Sequence, residues 1–212
     1  MKTFNKTLIA AATLTTFGLA AAPAAVALDA SASVATSYLW RGQDLGQGDA
    51  ALAVDLSDSM GAVSYGLWVS SGDATNGTEY DLYASYAGSV GEIGYSVGAA
   101  QYNYPGKAGK EESIEYIYGL SYGPLSVTLF DAEEGEYEYT VVGYEAGAYS
   151  FAYGEHDDGE PGSTTNNDNM SHFDVSYAVN DSLSLTLSTV LDSDNEADDD
   201  ETTVVASYTL PF

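Results

Sequence analysis

The sequence has no cysteine and few basic residues, and these two absences already restrict the chemistry of the protein. Without cysteine there is no disulfide framework, so the fold must depend on packing and backbone pairing. Five Lys and Arg residues stand against 32 Asp and Glu residues, which gives a formal net charge of −27. An acidic excess of this size argues against nucleic acid as a partner and favours cations, or serves solubility alone.

The chain also lacks an apolar run long enough for a transmembrane helix. Its longest run (8–22) is shorter than the about 20 residues that span a bilayer. Lys2 and Lys6 precede this run and small residues end it, which is typical of a secretory signal peptide. We therefore expect residues 1–27 to be removed on export from a Gram-negative cytoplasm, leaving a single domain over 28–212.

What the exported part has instead is alternation of apolar and polar residues with a period of two, which indicates strands. At the C-terminus, Tyr208 and Leu210 share one parity, Ser207 and Thr209 the other, and Phe212 ends the chain. An edge strand of a soluble sandwich could show the same alternation. Twelve segments of this kind are predicted, at 31–40, 50–56, 63–70, 78–87, 93–100, 113–122, 125–129, 137–141, 149–154, 173–177, 183–188 and 204–212.

The connections between these segments decide between the two folds. Longer polar loops alternate with five short turns, as in outer-membrane barrels, where the long loops face outside and both termini lie in the periplasm. We therefore predict an all-β, antiparallel, up-and-down transmembrane barrel of about 12 strands in the outer membrane. Tyrosines of the outward parity are expected at the membrane interfaces, namely Tyr38, Tyr80, Tyr122 and Tyr208. The longer loops are predicted at 41–49, 71–78, 105–112, 131–136, 155–171 and 192–201.

Four short motifs give the chain a resemblance to a known family. They are SYLWRG at 37–42, DLYASYAG at 81–88, YNYPG at 102–106 and EYIYGLSYG at 115–123. With these motifs and its C-terminal strand, the sequence resembles the TorF-type porins of proteobacteria. The resemblance implies an outer-membrane barrel with a porin role.

Five charged residues are candidates for lining a pore. Asp55, Asp81, Glu115 and Asp174 fall on the inward parity of four different strands, and Arg41 is the one inward base. Acidic side chains along a lumen favour cations. Arg41 could create a transverse field or could pair with an inward acid that sets the strand register, and we favour the pair because ions buried in a wall are usually paired.

Enzymatic chemistry is not expected from this sequence. The two histidines are His156 and His172, and no serine lies in a motif that marks a nucleophile. His172 and Asp174 share a face of one strand and could form a dyad, but coincidence is the favoured interpretation. The acidic segment 192–198 has Ala197 where a calcium loop needs glycine, and it lacks the closing glutamate. No cofactor signature is present.

The sequence therefore predicts a porin for passive diffusion of small hydrophilic solutes, with a preference for cations. The alternative is a structural or surface-interaction barrel with an occluded lumen. The expected partners are outer-membrane lipid, small hydrophilic solutes or cations, and the barrel-assembly machinery, which would engage the C-terminal strand.

The first testable prediction concerns that C-terminal strand. Deleting Phe212 should lower the amount of protein in the outer membrane without stopping export, because the terminal aromatic residue closes the recognition pattern. Heat-modifiable mobility on gels and membrane fractionation measure insertion, and periplasmic protein measures export. Normal insertion of the truncated chain would contradict the prediction.

Overall fold

The computed structural model describes residues 28–107, 113–133, 137–157, 169–194 and 201–212. The expected signal peptide lies outside them. Within these residues no helix is long and apolar enough to cross a membrane. The described chain forms fourteen strands: β1 (Asp29–Ala35), β2 (Leu39–Trp40), β3 (Gln43–Asp44), β4 (Ala51–Met60), β5 (Val63–Asp73), β6 (Gly77–Val90), β7 (Ile93–Asn103), β8 (Ser113–Tyr122), β9 (Leu125–Ala132), β10 (Glu138–Ala146), β11 (Tyr149–Asp157), β12 (Met170–Ala178), β13 (Leu183–Ser193) and β14 (Thr202–Pro211).

Twelve of these strands form one closed antiparallel barrel, as the sequence predicts. From β4 onward each strand pairs with the next, and β1 pairs with both β4 and β14. At this seam Val34 lies opposite Tyr208, and the Phe212 amide donates to the Ala30 carbonyl at 2.8 Å. Closure leaves the wall without a free edge, so its backbone groups are paired within the wall.

The alternation of apolar and polar residues in the sequence corresponds to the outer and inner faces of the wall. Large apolar side chains point outward, and Leu52, Leu120 and Leu187 remain 63%, 60% and 44% exposed. The inward parity carries mainly serine, glycine, threonine and alanine, with larger and charged residues toward the long-loop end. Tyr122 and Tyr208 face outward as expected. An apolar exterior over a polar interior is the pattern of barrels that span lipid.

The turns are shorter than the sequence analysis predicts. β4 continues through 57–60 and β6 through 88–90, so that each turn is reduced to two residues, the first of them Gly61 or Gly91. Both glycines have positive φ, 66° and 64°, a conformation that glycine adopts without steric cost. The predicted loop 71–78 is likewise only three residues long, since Asp73 lies opposite Gly77 in the ladder. The ends of these strands carry polar residues of the kind that favour turns, and the sequence analysis therefore places the turns too early.

The first predicted strand is wrong beyond Ala35. β1 stops there, and Ala35 lies directly opposite Ala51 of β4, so the intervening residues leave the wall. We call this segment, 36–50, the inner hairpin; it contains the short paired strands β2 and β3. Tyr38, expected at the membrane interface, is instead 2% exposed inside the structure. The alternation of β1 does not apply beyond this point, because the chain turns into the barrel and is no longer a wall strand.

The second prediction concerns orientation. A short epitope inserted between Pro105 and Gly106, both exposed at the long-loop end, should be recognised by antibody on intact cells. The same epitope between Gly61 and Ala62 should be recognised only after permeabilisation, because short turns face the periplasm in outer-membrane barrels. The reverse pattern of labelling would contradict the expected topology.

Candidate functional site

The inner hairpin is built from two tight turns. Trp40 pairs with Gln43, so Arg41 and Gly42 form a two-residue turn with φ values of 49° and 84°. Positive φ at both positions is the type I′ pattern, which favours asparagine and glycine and makes arginine a strained choice. The contacts of the guanidinium must therefore offset a local backbone cost.

The second turn repeats this geometry. Gln47 and Gly48 have φ values of 51° and 84°, and the Asp49 amide donates to the Gly46 carbonyl at 2.9 Å. Asp44 stabilises this end of the hairpin by accepting hydrogen bonds from the Ser37 hydroxyl and, at 3.0 Å, from the Gly48 amide. These local bonds give the segment a defined structure although it is not part of the wall.

Arg41 projects from the first turn into the barrel and binds the opposite wall. Its two terminal nitrogens donate to the two carboxylate oxygens of Glu115 at 2.9 and 2.6 Å. The Tyr102 hydroxyl adds a 2.7 Å bond to Glu115, and the Tyr137 hydroxyl accepts from Arg41 at 3.1 Å. Arg41 is 2% exposed and Glu115 is 4% exposed. This bidentate arrangement gives the planar guanidinium a fixed orientation.

Aromatic rings surround the same guanidinium. Its central carbon lies 4.2 Å from the ring centroid of Phe130, 4.4 Å from that of Trp40 and 4.7 Å from that of Tyr139. Such contacts are attractive for a cation and gain strength when water is excluded. Burial opposes the charged form, but the attraction of Glu115 raises the pKa of Arg41 above its ordinary value. Arg41 therefore remains a charged group bound within the barrel.

Both histidines contact the inner hairpin. His156 lies 2.8 Å from the Arg41 carbonyl oxygen through Nε2 and 2.9 Å from the Tyr137 hydroxyl through Nδ1. His172 packs beneath Gly42, where an added Cβ would lie 2.5 Å from the imidazole Cγ. Only glycine allows the hairpin to approach the ring this closely.

His172 and Asp174 do meet as their spacing allows, with Nδ1 and Oδ1 3.0 Å apart. The Ser188 hydroxyl donates to the same carboxylate oxygen at 2.6 Å, and the Tyr139 hydroxyl lies 3.0 Å from the second imidazole nitrogen. His172 is 1% exposed and Tyr139 is fully buried. The pair therefore belongs to the buried side chains of the wall that contact the inner hairpin. We call these side chains, together with the partners of Arg41, the packed layer.

A second group of acids lies beside this layer. Glu79 accepts the hydroxyls of Tyr38 at 2.8 Å and Tyr104 at 2.7 Å. Burial and the adjacent Glu79 charge raise the pKa of Tyr38 well above its ordinary value, which keeps the hydroxyl a donor. Asp81 is fully buried, and neither of its oxygens has a hydrogen-bond partner among the described residues.

The structure places the five predicted pore-lining residues on the interior but in different surroundings. Glu115 is bound to Arg41, Asp174 to His172, and Asp55 accepts the Tyr83 hydroxyl at 2.8 Å. Sequence reasoning missed several residues of the packed layer. Glu79 could have been found, since it shares the inward parity of Asp81. Tyr102, Tyr104 and His156 could have been found in the same way, since they continue the inward parity of Ala100 and Gly154. Tyr137 and Tyr139 gave no such signal, because apolar residues fall on both parities of their strand.

The interior changes along the barrel axis. At the level of Arg41 the inward side chains are almost completely buried, as for Phe130 and Ile117 at 1% exposure. Toward the short turns most inward residues are small, although Tyr83 is large and Ser184 is buried. Those that are partly exposed include Gly66, Ser96, Gly119, Ser126, Thr128 and Ser150. Beside the hairpin, a cavity of about 600 Å³ is bounded by Gln43, Asp44, Met170, Val190 and Glu201. Within the described ranges, no group of three or more His, Asp or Glu residues could hold a metal ion.

These features define a twelve-stranded β-barrel with a hairpin of its own chain packed inside one end. A family model described as "Bacterial protein of unknown function (Gcw_chp)" matches residues 19–143, more than half of the sequence. The chain belongs to this Gcw_chp family. The matched range contains Arg41 and Glu115, whereas His156 and His172 lie beyond it. The resemblance to TorF-type porins stays a prediction.

No curated protein sequence matches the chain. Among solved structures, the outer membrane phospholipase A from Escherichia coli is similar, with a TM-score of 0.44 and 10% identity over 87% of this chain and 88% of that one. The function of this protein has to be inferred from its own side chains.

The third prediction tests the buried ion pair. Glu115→Leu should lower the free energy of unfolding by about 3–5 kcal/mol, because it leaves the Arg41 charge buried without its partner. The double variant Arg41→Met, Glu115→Leu should recover most of that loss. Urea titration in phospholipid vesicles measures both.

Glu92→Gln, an exposed acid next to a short turn, is the matched control and should change stability little. The single variant Arg41→Met completes the comparison. If its loss and that of Glu115→Leu add up in the double variant, Arg41 and Glu115 do not stabilise the protein as a pair.

Proposed function

We propose that the protein is an outer-membrane β-barrel of the channel type that rests closed, with the inner hairpin as its gate. One observation carries the proposal: the segment that fills the interior is separate from the wall. Ala35 and Ala51 are paired with each other, so β1 and β4 remain joined whether or not the hairpin is docked. Moving residues 37–50 would therefore leave the barrel ladder intact, including the bond from the Thr36 amide to the Ala206 carbonyl of β14.

The wall itself supports a location in the outer membrane. Lipid provides no hydrogen bonds to the backbone, and a closed barrel satisfies this requirement because every wall strand has two neighbours. The outward side chains supply an apolar surface for lipid, and the N-terminal pattern of the sequence supplies an export signal. We infer periplasmic termini, and insertion by the barrel-assembly machinery through the C-terminal strand.

The docked hairpin argues against free diffusion in the state described. Arg41 reaches from the hairpin to Glu115 on β8, and Tyr38 reaches to Glu79 on β6, with little space left for water around any of them. With the hairpin displaced, the inward residues toward the short turns are mainly glycine, serine and threonine, with Tyr83 bound to Asp55 at the wall. Such a wall suits small hydrophilic solutes, as the resemblance to TorF-type porins implies.

The same residues support a preference for cations. Displacement removes Arg41, the sole base predicted on the interior, and releases Glu115. Asp55, Asp81 and Asp174 then add to a negative lumen, and acidic side chains along a path favour cations. The proposed pore is therefore cation-selective when open.

A second function is favoured by the number of buried bonds that hold the hairpin. Arg41, Tyr38 and the Arg41 carbonyl each have partners on the wall, which would suit a barrel that never opens. Such a protein would act through its acidic loops as a structural or surface-interaction barrel. Conductance distinguishes the two functions.

The fourth prediction is a conductance measurement in planar lipid bilayers. The wild-type protein should be closed at neutral pH. A variant in which Asn-Gly replaces residues 36–50 should conduct steadily, because a type I′ turn can join the paired Ala35 and Ala51. Under a KCl gradient its reversal potential should indicate potassium preference, and Asp81→Asn should reduce that preference.

Heat-modifiable mobility must first show that each variant is folded. A folded variant without the hairpin that does not conduct would support the permanently occluded barrel. Steady wild-type conductance at neutral pH would show that the hairpin does not close the path.

A further inference from the structure

The hydrogen bonds around His156 form a closed ring with a defined direction. Its Nε2 faces the Arg41 carbonyl, which can only accept, so Nε2 carries a proton. The Arg41 guanidinium can only donate, so the Tyr137 hydroxyl accepts from it and passes its own proton toward His156 Nδ1. The ring thus begins and ends on Arg41 and is complete only when His156 is neutral.

A second proton on His156 would break this ring. Nδ1 would become a donor, and the Tyr137 hydroxyl proton, which now points at it, would lose its acceptor. The Tyr137 hydroxyl, which is partly buried, would then be a donor without its partner in the ring. The tip of the inner hairpin depends on these bonds, since both ends of the ring lie on Arg41.

The charges around His156 would also oppose that proton. Arg41 and Trp40 face the His156 imidazole from the inner hairpin. Tyr137 faces it from just before β10, Tyr139 from β10 and His172 from β12. The charged groups that act on it are Arg41 and His172, which are positive when protonated. The carboxylates nearby bind elsewhere: Glu115 pairs with Arg41 and Asp174 with His172.

From this geometry we propose that protonation of His156 releases the inner hairpin, so that mild acid undocks it from the barrel. His172 is not the sensor, because its Nδ1 bonds to Asp174 on the same strand and its Nε2 to the Tyr139 hydroxyl, so neither nitrogen takes part in the ring. Release of the hairpin follows from the hydrogen-bond ring alone, whereas the opening of a pore on release rests on the proposed function.

The sign of the pH dependence follows from which state binds more protons. The docked state holds His156 neutral, whereas an imidazole released to water takes up a proton near pH ~6.5. Docking is therefore strongest above that pH and weakens as the pH falls below it. One proton changes the docking equilibrium up to about tenfold per pH unit, or about thirtyfold between pH 7.5 and 5.0.

Because the protein has no cysteine, a single introduced thiol reports docking directly. Leu39→Cys places it on the inner hairpin at a position with 1% exposure, and Ser59→Cys provides an exposed reference near a short turn. The ratio of their maleimide labelling rates in vesicles corrects for thiol ionisation. This ratio should rise up to about thirtyfold from pH 7.5 to 5.0.

Substitutions in the Leu39→Cys background identify the sensor. His156→Gln keeps an N–H donor for the Arg41 carbonyl but cannot take up a proton, so its ratio should not change with pH. His172→Gln is the matched control and should keep the wild-type response. Tyr137→Phe, a second test should His156→Gln fail to fold, removes the hydroxyl that opposes protonation and should reduce the fold-change.

Nitrogen-15 spectra of histidine-labelled protein test the ring itself. At neutral pH, His156 should be the Nε2–H tautomer and His172 the Nδ1–H tautomer. The opposite tautomer at His156, a ratio that does not change with pH in the wild type, or an unchanged response in His156→Gln would overturn the proposal. Release at pH 5.0 without conductance would support it and contradict only the channel function.

Discussion

The structure depends on one constraint, which is that the backbone of the wall must find all its hydrogen-bond partners within the wall. The seam between β1 and β14 and the pairing of Ala35 with Ala51 meet this constraint. Residues 36–50 then have no place in the wall. Their apolar side chains, Tyr38 and Leu39 among them, become buried by turning into the barrel, where Leu39 packs against Ala35 and Val205.

Filling the interior with a hairpin creates an electrostatic problem that the wall alone does not have. The acids Glu79, Asp81 and Glu115 lie close enough to influence one another, and Arg41 is the base that the inner hairpin brings to them. A buried ion pair contributes less to stability than its geometry suggests, because both charges lose water. Its value here lies in register: only one position of the hairpin satisfies both oxygens of Glu115.

Much of the fold could be predicted from the sequence because a barrel wall is a local, periodic structure. Period-two alternation located all twelve wall strands, although polar strand ends such as Ser57 and Asp58 were read as turns. Continuing that parity through Tyr38 failed, since the chain leaves the wall after Thr36, whose amide still donates to the Ala206 carbonyl of β14 at 3.0 Å. The inward direction of Arg41 was right, but it comes from a two-residue turn with a strained arginine and not from strand alternation.

The partners within the site were beyond prediction for a different reason. Arg41 and Glu115 are 74 residues apart, and they meet only because the strand number and stagger of the closed wall set the width of the lumen. No local sequence pattern determines the width of the lumen. Some chemistry was nevertheless visible in the sequence, since an inward base among inward acids predicted a pair. The shared face of His172 and Asp174 allowed a dyad, but coincidence was favoured, and the structure shows that the two side chains are in contact.

The position of the inner hairpin in the chain has a consequence for how the barrel is made. The strands that flank it, β1 and β4, are the first wall strands in the order of the chain, whereas the seam needs β14, the last strand. The hairpin therefore does not have to thread into a finished cylinder. It is tethered on the concave side of a growing sheet, and successive strands can curl around it as a template before the last one closes the wall.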